Sequence, residues 1–579
     1  MVRANEAMDA ASAGPLSLDA VRAELTAPGA RFEMAQAMVD GVPTRVWKHA
    51  PPDLAAVARL SRGHGERLAA IHGEDRVSYE AQFRAIAALA GHFRTLGVAK
   101  GDRVALAMSN LPEWPVAFFA IVSIGAICVP LNARWTAAEL AFAIEDADAT
   151  ILMVDGDRFR RLSDAGTAMP SLRHILVARA SEPPTGIGRA LETVIGRCAD
   201  YAALPDRPLP ETPIAPDDDS TIFYTSGTTG RPRGAVGTHR NLCTNILSSG
   251  YAAARTMLRR GRAPISEPRV ILLVVPLFHV TGCSAILMGA MATGSTIVLM
   301  PHWDAGEALR LIERERVQVT GGVPTVAWQL LDHPDRATYD LSSLDTINYG
   351  GAPSAPELVR RIDAELGAVP GNGWGMTETM ATVTQHGGPD YLARPTSCGQ
   401  PVAVADLKVM TTDGSRELPS GEVGELWARG PMIVKGYWRR PDATAATFVD
   451  GWVRTGDLAR LDTDGFCHIV DRLRDIVIRG GENIYSIEVE NVLHAHPAVA
   501  DAALIGMPDR IWGEQPVAIV HLRPGFTATK DELRNFVRAR LAGFKVPVAV
   551  RFVDAALPRN AGGKIVKHAL RIMFGDTGT

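Results

Sequence analysis

The sequence predicts an α/β fold, with a large N-terminal domain of parallel α/β subdomains plus a β-rich subdomain, followed by a small α+β C-terminal domain. Three observations predict it. The chain has 579 residues, well past the roughly 250–300 at which a single core stops growing. Up to about residue 395, short apolar runs alternate with helix-length segments, and such strands belong in a parallel sheet covered on both faces. From about 396 to 470 the texture changes to short strands between Gly and Pro turns, and after 475 a fresh, smaller α+β pattern begins.

Residues 1–45 lack periodicity and read as an irregular extension. Ser78 then caps a helix with Phe83, Ile86, Leu89, Phe93 and Leu96 on one face, stopped at Gly97. "RVALAM" (103–108) is a strand, "PEWPVAFFAIVSIGA" a helix, "ICVPLN" a strand, "TAAELAFAIEDAD" a helix and "ATILMVD" a strand. The alternation resumes at 220–226, 269–275, 295–300, 317–323 and 344–351, with helix-length segments between. The large domain spans 46–473, including the β-rich part, and 474–579 forms the last domain. The boundary near 471–475 ("DRLRD") is charged rather than Gly/Ser-rich, which suits a hinge better than a floppy linker.

Composition narrows the function. Hydrophobic residues make up 46% and charged residues 21%. Sixty basic against 64 acidic residues give a net charge of −4, without the basic excess of a nucleic-acid binder. The six cysteines are scattered with no CxxC pair, so neither a disulfide framework nor a zinc site is suggested. The first residues lack an apolar signal core. The apolar stretches 115–131 and 271–300 read as buried core, since Pro276, His279 and Gly282 interrupt the second. A cytoplasmic protein is expected, with no transmembrane segment and no nucleic-acid partner. A peripheral membrane contact, through the basic stretch 255–269 or otherwise, and a homodimer stay open. That stretch itself reads as a solvated loop.

One segment points to chemistry. "YTSGTTGRPRGAV" (224–236) holds only hydroxyls and glycines from Thr225 to Gly230. Glycines let the backbone approach a ligand, successive N–H groups converge on an anion, and hydroxyls add donors without bulk. A polyphosphate suits such a loop, and a following helix is expected to add its N-terminal dipole. A plain Gly/Thr surface turn is the competing reading of this stretch alone. The spacing does not fit a Walker loop.

The stretch has company. "YTSGTTGRPRG", "PLFHVTG" (276–282), "NYGGAP" (348–353), "GWGMTET" (373–379), "GELWARGPMIVKGYW" (424–438), "VRTGDLA" (453–459), "DRLRDIVIRGGENIYSIEVE" (471–490) and "LPRNAGGKIVK" (557–567) occur in this order. The set closely resembles the motifs of the acyl-adenylate-forming ligases, the acyl-CoA synthetase family, from about residue 75 onward. The resemblance implies an ATP-dependent acid–thiol ligase with magnesium and coenzyme A, and a C-terminal domain that moves between two half-reactions.

It also implies roles. Thr225, Ser226, Gly227, Thr228, Thr229, Gly230 and Arg233 would hold the phosphates, Arg233 standing where lysine is usual. Gly351, Ala352 and Pro353 would wall one face of adenine, with Trp374, where tyrosine is more common, and Gly375 beside it. Asp457 and Arg472 would meet the ribose. Thr377 would donate to the α-phosphate and Glu378 would ligate magnesium. Lys564 would bridge the acid carboxylate and the α-phosphate. Arg474 corresponds to the hinge, and Gly480 and Gly481 to the coenzyme A channel. His279, Gly282, Met380 and Ala381 would line the acid pocket, His279 being counted also among the catalytic group. Blander readings remain for several: a helix cap for Thr377 and Glu378, a packed core histidine for His279, a solvated basic tail for Lys564 with Lys567 and Arg571. Ser486 stands where proline is frequent.

The candidate pocket residues are small or apolar with no second cation, so an apolar monocarboxylic acid is expected, a medium- or long-chain fatty acid foremost. An aryl or alicyclic, sterol-derived acid is the alternative. An adenylating enzyme that loads a carrier thiol, a luciferase-like oxidase and a nucleotide-binding regulator without turnover are remoter.

Overall fold

Ser78 caps the helix Tyr79–Thr95 by accepting from the Ala81 amide at 3.2 Å, the role expected of a serine ahead of a spaced apolar face. Phe83, Ile86, Leu89 and Phe93 are all buried on it. They pack toward the wholly buried helix Glu113–Ser123, which with the strand Ile127–Pro130 makes up most of the apolar stretch 115–131. The computed structural model describes residues 16–225, 232–351, 354–560 and 564–575. No helix among them is long and apolar enough to cross a membrane.

Among the described residues two large sheets carry the N-terminal domain. One has seven strands, in the order Arg233–Thr238, Asp219–Thr225, Ile127–Pro130, Arg103–Ala107, Ile151–Asp155, His174–Ala178 and Gly188–Ala190. The other has nine, with Val369–Trp374, Thr346–Gly350, Val319–Gly322 and Val270–Leu273 adjacent in its middle. Both are parallel through their centres; the nine-stranded sheet is antiparallel at both ends, at Asp75–Ser78 and Thr384–Gly387, and the seven-stranded one at Arg233–Thr238 only, its Gly188–Ala190 edge being parallel. In the second sheet Gly350 lies opposite Gly373. The loop after 350 and the turn after 374 therefore leave the carboxyl ends of neighbouring strands, where open α/β sheets bind ligands.

The β-rich part is a five-stranded antiparallel sheet running from Asp406–Met410 to Cys467–Arg472. It sets Asp457 directly opposite Arg472. The small C-terminal domain is a second five-stranded sheet covered by the helices Ser486–His494, Lys530–Arg538 and Lys567–Gly575, with Val489, Leu493, Leu504, Leu533 and Val537 in its own core.

Three expectations need correction. Where residues 1–45 were expected to be irregular, the described part holds a helix, Leu18–Leu25, and a hairpin, Met34–Val39 with Val42–Trp47. The helix buries only Val21 and Leu25, too few positions for a period to emerge. Phe32, Trp47 and Tyr251 tie this region down as an aromatic cluster, and the Trp47 indole donates to Ser248 Oγ at 3.0 Å. Second, the Gly/Thr loop does not lead into a helix. It joins two antiparallel strands, and the helix His239–Arg259 starts only beyond Thr238. Roughly 17 Å of strand separates the two, so that helix dipole does not serve the loop. Glycine concealed the strand: methyls at Gly234 and Gly237 would lie 2.5 Å from Ile222 and 2.3 Å from Met380, so close packing selects glycine there. Third, the basic stretch 255–269 is an exposed loop only in its middle, at 261–267, and is fixed at both ends. It begins inside the helix, Arg255 is 4% exposed, and Arg259 and Arg269 pair with Asp390 and Asp345, each at 2.8 Å.

Candidate active site

The cleft is built where the two large sheets, the β-rich sheet and the small domain meet. Ser226, Gly227, Thr228, Thr229, Gly230, Ala352 and Pro353 lie outside the described residues. The flanks of the Gly/Thr loop are fixed: Thr225 pairs with Arg233 across the hairpin. The segment 434–438 extends this hairpin on its other side, with Val236 N donating to Gly436 O at 2.9 Å and Trp438 N to Gly234 O at 2.7 Å. Tyr437 thereby sits under Arg233, whose guanidinium lies 5.7 Å from its ring centre.

Tyr437 also reaches the neighbouring turn, donating its hydroxyl to Glu378 Oε1 at 2.7 Å. Glu378 is 7% exposed. Burial raises its carboxyl above the usual range, and the Tyr437 hydrogen bond and the charges of Arg472 and Lys564 oppose that rise. Thr377 and Glu378 lie on a short 3₁₀ turn that ends at Met380 and Ala381, both with left-handed φ (45° and 93°). Non-glycine residues hold such angles only when the surroundings over-determine them. Here Asn245 does so, donating to Met380 O and accepting from Thr382 N. Met380 is fully buried beneath Gly237.

Trp374 ends its strand beside this turn and donates its indole N–H to Asp457 Oδ2 at 2.8 Å. The other oxygen of Asp457 lies 3.4 Å from Arg472 Nε. Lys564 enters from the small domain, and a methyl at Gly351 would touch its Cε at 3.5 Å. Removal from water and the nearby Arg472 push the Lys564 ammonium down to about 8, against the pull of Asp457 and Glu378. His279 lies close enough to feel Lys564. Burial and that charge lower its imidazole to about 4, and Nδ1 accepts from Thr281 N at 3.2 Å. Gly282 follows within a π-helical turn, Thr281–Leu287, where a methyl would come 2.3 Å from Pro276 O.

The structure thus gathers Lys564, Gly351, Trp374, Asp457, Arg472, Glu378 and His279 around one cleft, with Thr377, Gly375, Met380 and Ala381 on the turn beside them and Arg233 joined through Tyr437. Gly480 and Gly481 are not among them. They cap a hairpin of the small domain, and Gly480 N donates to Trp512 O at 2.7 Å. Arg474 lies on the crossing between the domains. Sequence reasoning missed Tyr437, although "KGYW" was one of the quoted motifs, and Asn245, which had no motif to mark it. Lys567 is not a solvated tail residue: it pairs with Glu490 at 2.8 Å.

The family of AMP-binding enzymes matches residues 57–438, and the AMP-binding enzyme C-terminal domain matches 488–564, ending on Lys564. The chain belongs to the AMP-binding enzyme family. Among relatives of this AMP-binding enzyme is the feruloyl-CoA synthase of an Amycolatopsis species, 37% identical over 521 residues, which cover 89% of this chain and 98% of that one. The long-chain-fatty-acid–CoA ligase FadD13 of Mycobacterium tuberculosis is 35% identical over 509 residues, 87% of this chain and 94% of that one. Among solved structures, the o-succinylbenzoate CoA synthetase MenE of Bacillus subtilis, held with its acyl-adenylate intermediate, superposes with a TM-score of 0.74 at 29% identity, covering 90% of this chain and 98% of that one.

Proposed function

We propose that this AMP-binding enzyme is an ATP-dependent carboxylic acid–CoA ligase acting through an acyl-adenylate, and that its acid is an apolar monocarboxylate such as a medium- or long-chain fatty acid. The observation that carries the reading is the entry of Lys564, from a separate domain, into a cleft that already holds Glu378, Asp457 and Arg472. In the first half-reaction a carboxylate oxygen attacks the α-phosphorus of ATP and pyrophosphate leaves. Both reactants are anions, so a cation must stand between them and hold them in line. Lys564 supplies that charge on a flexible stem, and the Thr377 hydroxyl donates to the α-phosphate.

Glu378 fits a magnesium ion: it is a hard oxygen donor at the cleft, and burial disfavours its charge unless a cation answers it. Such an ion would neutralise the phosphates of the bound nucleotide. Arg233 and the Gly/Thr loop take the pyrophosphate end, Gly351 and Trp374 flank the adenine, and Asp457 and Arg472 hold the ribose. In the second half-reaction the thiol sulfur of coenzyme A attacks the acyl carbon and AMP leaves. The small domain turns about Arg474 between the two, withdrawing Lys564 and bringing Gly480 and Gly481 to the thiol channel.

The acid is read from the wall formed by His279, Gly282, Met380 and Ala381. His279 is neutral at working pH because its imidazole is held near 4. That wall therefore brings no charge to meet a second carboxylate. An aryl acid is the second reading, favoured by the 37% likeness to a feruloyl-CoA synthase. Six buried free cysteines support a reducing, cytoplasmic setting.

The test compares Lys564→Ala with wild type in two assays, acid-dependent pyrophosphate release and thioester formation from a preformed acyl-adenylate. The first is expected to fall at least about a hundredfold, the second far less. Equal losses would defeat the reading. A panel of short to long aliphatic, aryl and alicyclic acids, scored by CoA-dependent AMP formation, decides the substrate.

A further inference from the structure

Trp374 does something that an aromatic platform need not do. Its Nε1 donates to Asp457 Oδ2 at 2.8 Å, while Arg472 Nε stands 3.4 Å from Oδ1. Asp457 is 8% exposed, and its own amide is tied to Thr455 Oγ1 at 3.1 Å. A carboxylate can accept about four hydrogen bonds, two on each oxygen. Among the described residues Trp374 uses one position on Oδ2 and Arg472 faces Oδ1, which leaves one position open on each oxygen. A vicinal diol carries two O–H donors that can meet the two oxygens of one carboxylate together. Without a fixed donor, the carboxylate plane is loosely determined, because the terminal torsion of an aspartate is broad.

We infer that Trp374 is a positioning residue for nucleotide selection: its indole N–H fixes the plane of Asp457 so that the two remaining acceptor positions engage the 2′ and 3′ hydroxyls of a ribonucleotide at once. The inference rests on the reading of Asp457 as the ribose acceptor. A phenyl or phenol ring in this place keeps an aromatic face for the base but has no indole N–H for the carboxylate. The selectivity for ribose over 2′-deoxyribose then depends on a residue that touches neither hydroxyl.

The experiment measures binding of AMP and of 2′-deoxy-AMP to the full-length protein by calorimetry, with no acid, metal or coenzyme A present. Trp374→Phe is expected to weaken AMP about tenfold, the usual scale of a hydrogen bond to a charged group, and 2′-deoxy-AMP less than about threefold. The preference for the ribonucleotide therefore shrinks. Asp457→Ala is expected to remove the preference altogether. Loss of affinity for both nucleotides by the same factor in Trp374→Phe would reduce Trp374 to a stacking surface and overturn the inference. If Asp457→Ala loses the preference while Trp374→Phe keeps it, the inference alone fails. If Asp457→Ala keeps it, the reading of Asp457 fails and the inference with it. Thermal denaturation checks each variant, and Trp374→Leu, which has no side-chain donor, replaces Trp374→Phe should that variant not fold, the readout again being the ratio of the two affinities.

Discussion

A lysine in a cleft can be a strong catalytic cation only while it keeps its proton. Lys564 is held near 8 because burial and Arg472 disfavour its charge more than Asp457 and Glu378 support it. The charged form is complete well below that value and is lost as pH rises through it. Acid-dependent pyrophosphate release is therefore expected to fall about tenfold per pH unit above roughly 8. A guanidinium does not deprotonate in this range, so Lys564→Arg, though slower, should lack the alkaline limb. A wild-type kcat/KM profile, taken at limiting nucleotide so that it reports the free enzyme, that stays flat to about pH 10 would remove the Lys564 ammonium from the pH dependence. Residues of this kind were legible because each sits in a short motif whose neighbours are also recognisable: Lys564 behind two glycines, Glu378 after Thr377, Asp457 after Gly456. Tyr437 and Asn245 were not, because their parts are played through other residues. One steadies Glu378 and the other pins the Met380 carbonyl, and neither partner is adjacent in sequence.

The turn that carries Thr377 and Glu378 behaves as one element with the strand before it. Gly375 allows it to close: a methyl there would lie 1.4 Å from the Ala381 carbonyl oxygen and 3.2 Å from Thr379 Oγ1. The obstruction is backbone, which cannot rotate aside as a side chain can, and the same turn already holds Met380 and Ala381 at left-handed angles. Gly375→Ala should destabilise the protein by about 1–3 kcal/mol, the range for overpacking, and displace Glu378 from Tyr437. Urea unfolding and pyrophosphate release should both register the change; normal stability with normal adenylation would show that the turn has slack. At this scale the regular elements were readable from period and caps, as Tyr79–Thr95 illustrates. The irregular ones were not. Strand Arg233–Thr238 hides behind two glycines chosen for contact with Ile222 and Met380, atoms brought near only by the tertiary fold.

Across the whole molecule, the rotation proposed above would make the junction between the domains decide which half-reaction the cleft performs. Asp471, near the end of the last strand of the β-rich sheet, is 1% exposed and lies before the proposed pivot at Arg474. Its carboxylate accepts from the amide and hydroxyl of Ser486, the hydroxyl at 2.9 and 3.0 Å, and Lys567 in turn donates to that hydroxyl. On another face, Arg523 of the small domain pairs with Asp332 of the large one at 2.5 Å and lies over Trp328. The proposed rotation about residue 474 would carry Ser486 and Arg523 away from partners that stay behind, Asp471 and Asp332. These contacts therefore belong to the arrangement with Lys564 in the cleft. Ser486 is the first residue of its helix, where proline is well accepted because no intrahelical bond is lost. Ser486→Pro thus deletes both Ser486 donors to Asp471 while sparing the helix. The Arg472 amide still donates to Asp471 Oδ1 at 2.7 Å, but Oδ2 loses both Ser486 donors, and a buried acceptor atom left unpaired costs about 1–3 kcal/mol, all of it falling on this one arrangement. Adenylate formation should drop about five- to a hundredfold relative to thioester formation from a preformed adenylate, in single-turnover measurements of each step. If the ratio of the two rates does not move, the Ser486 bonds are indifferent to domain position, and the junction is held by something other than this buried carboxylate.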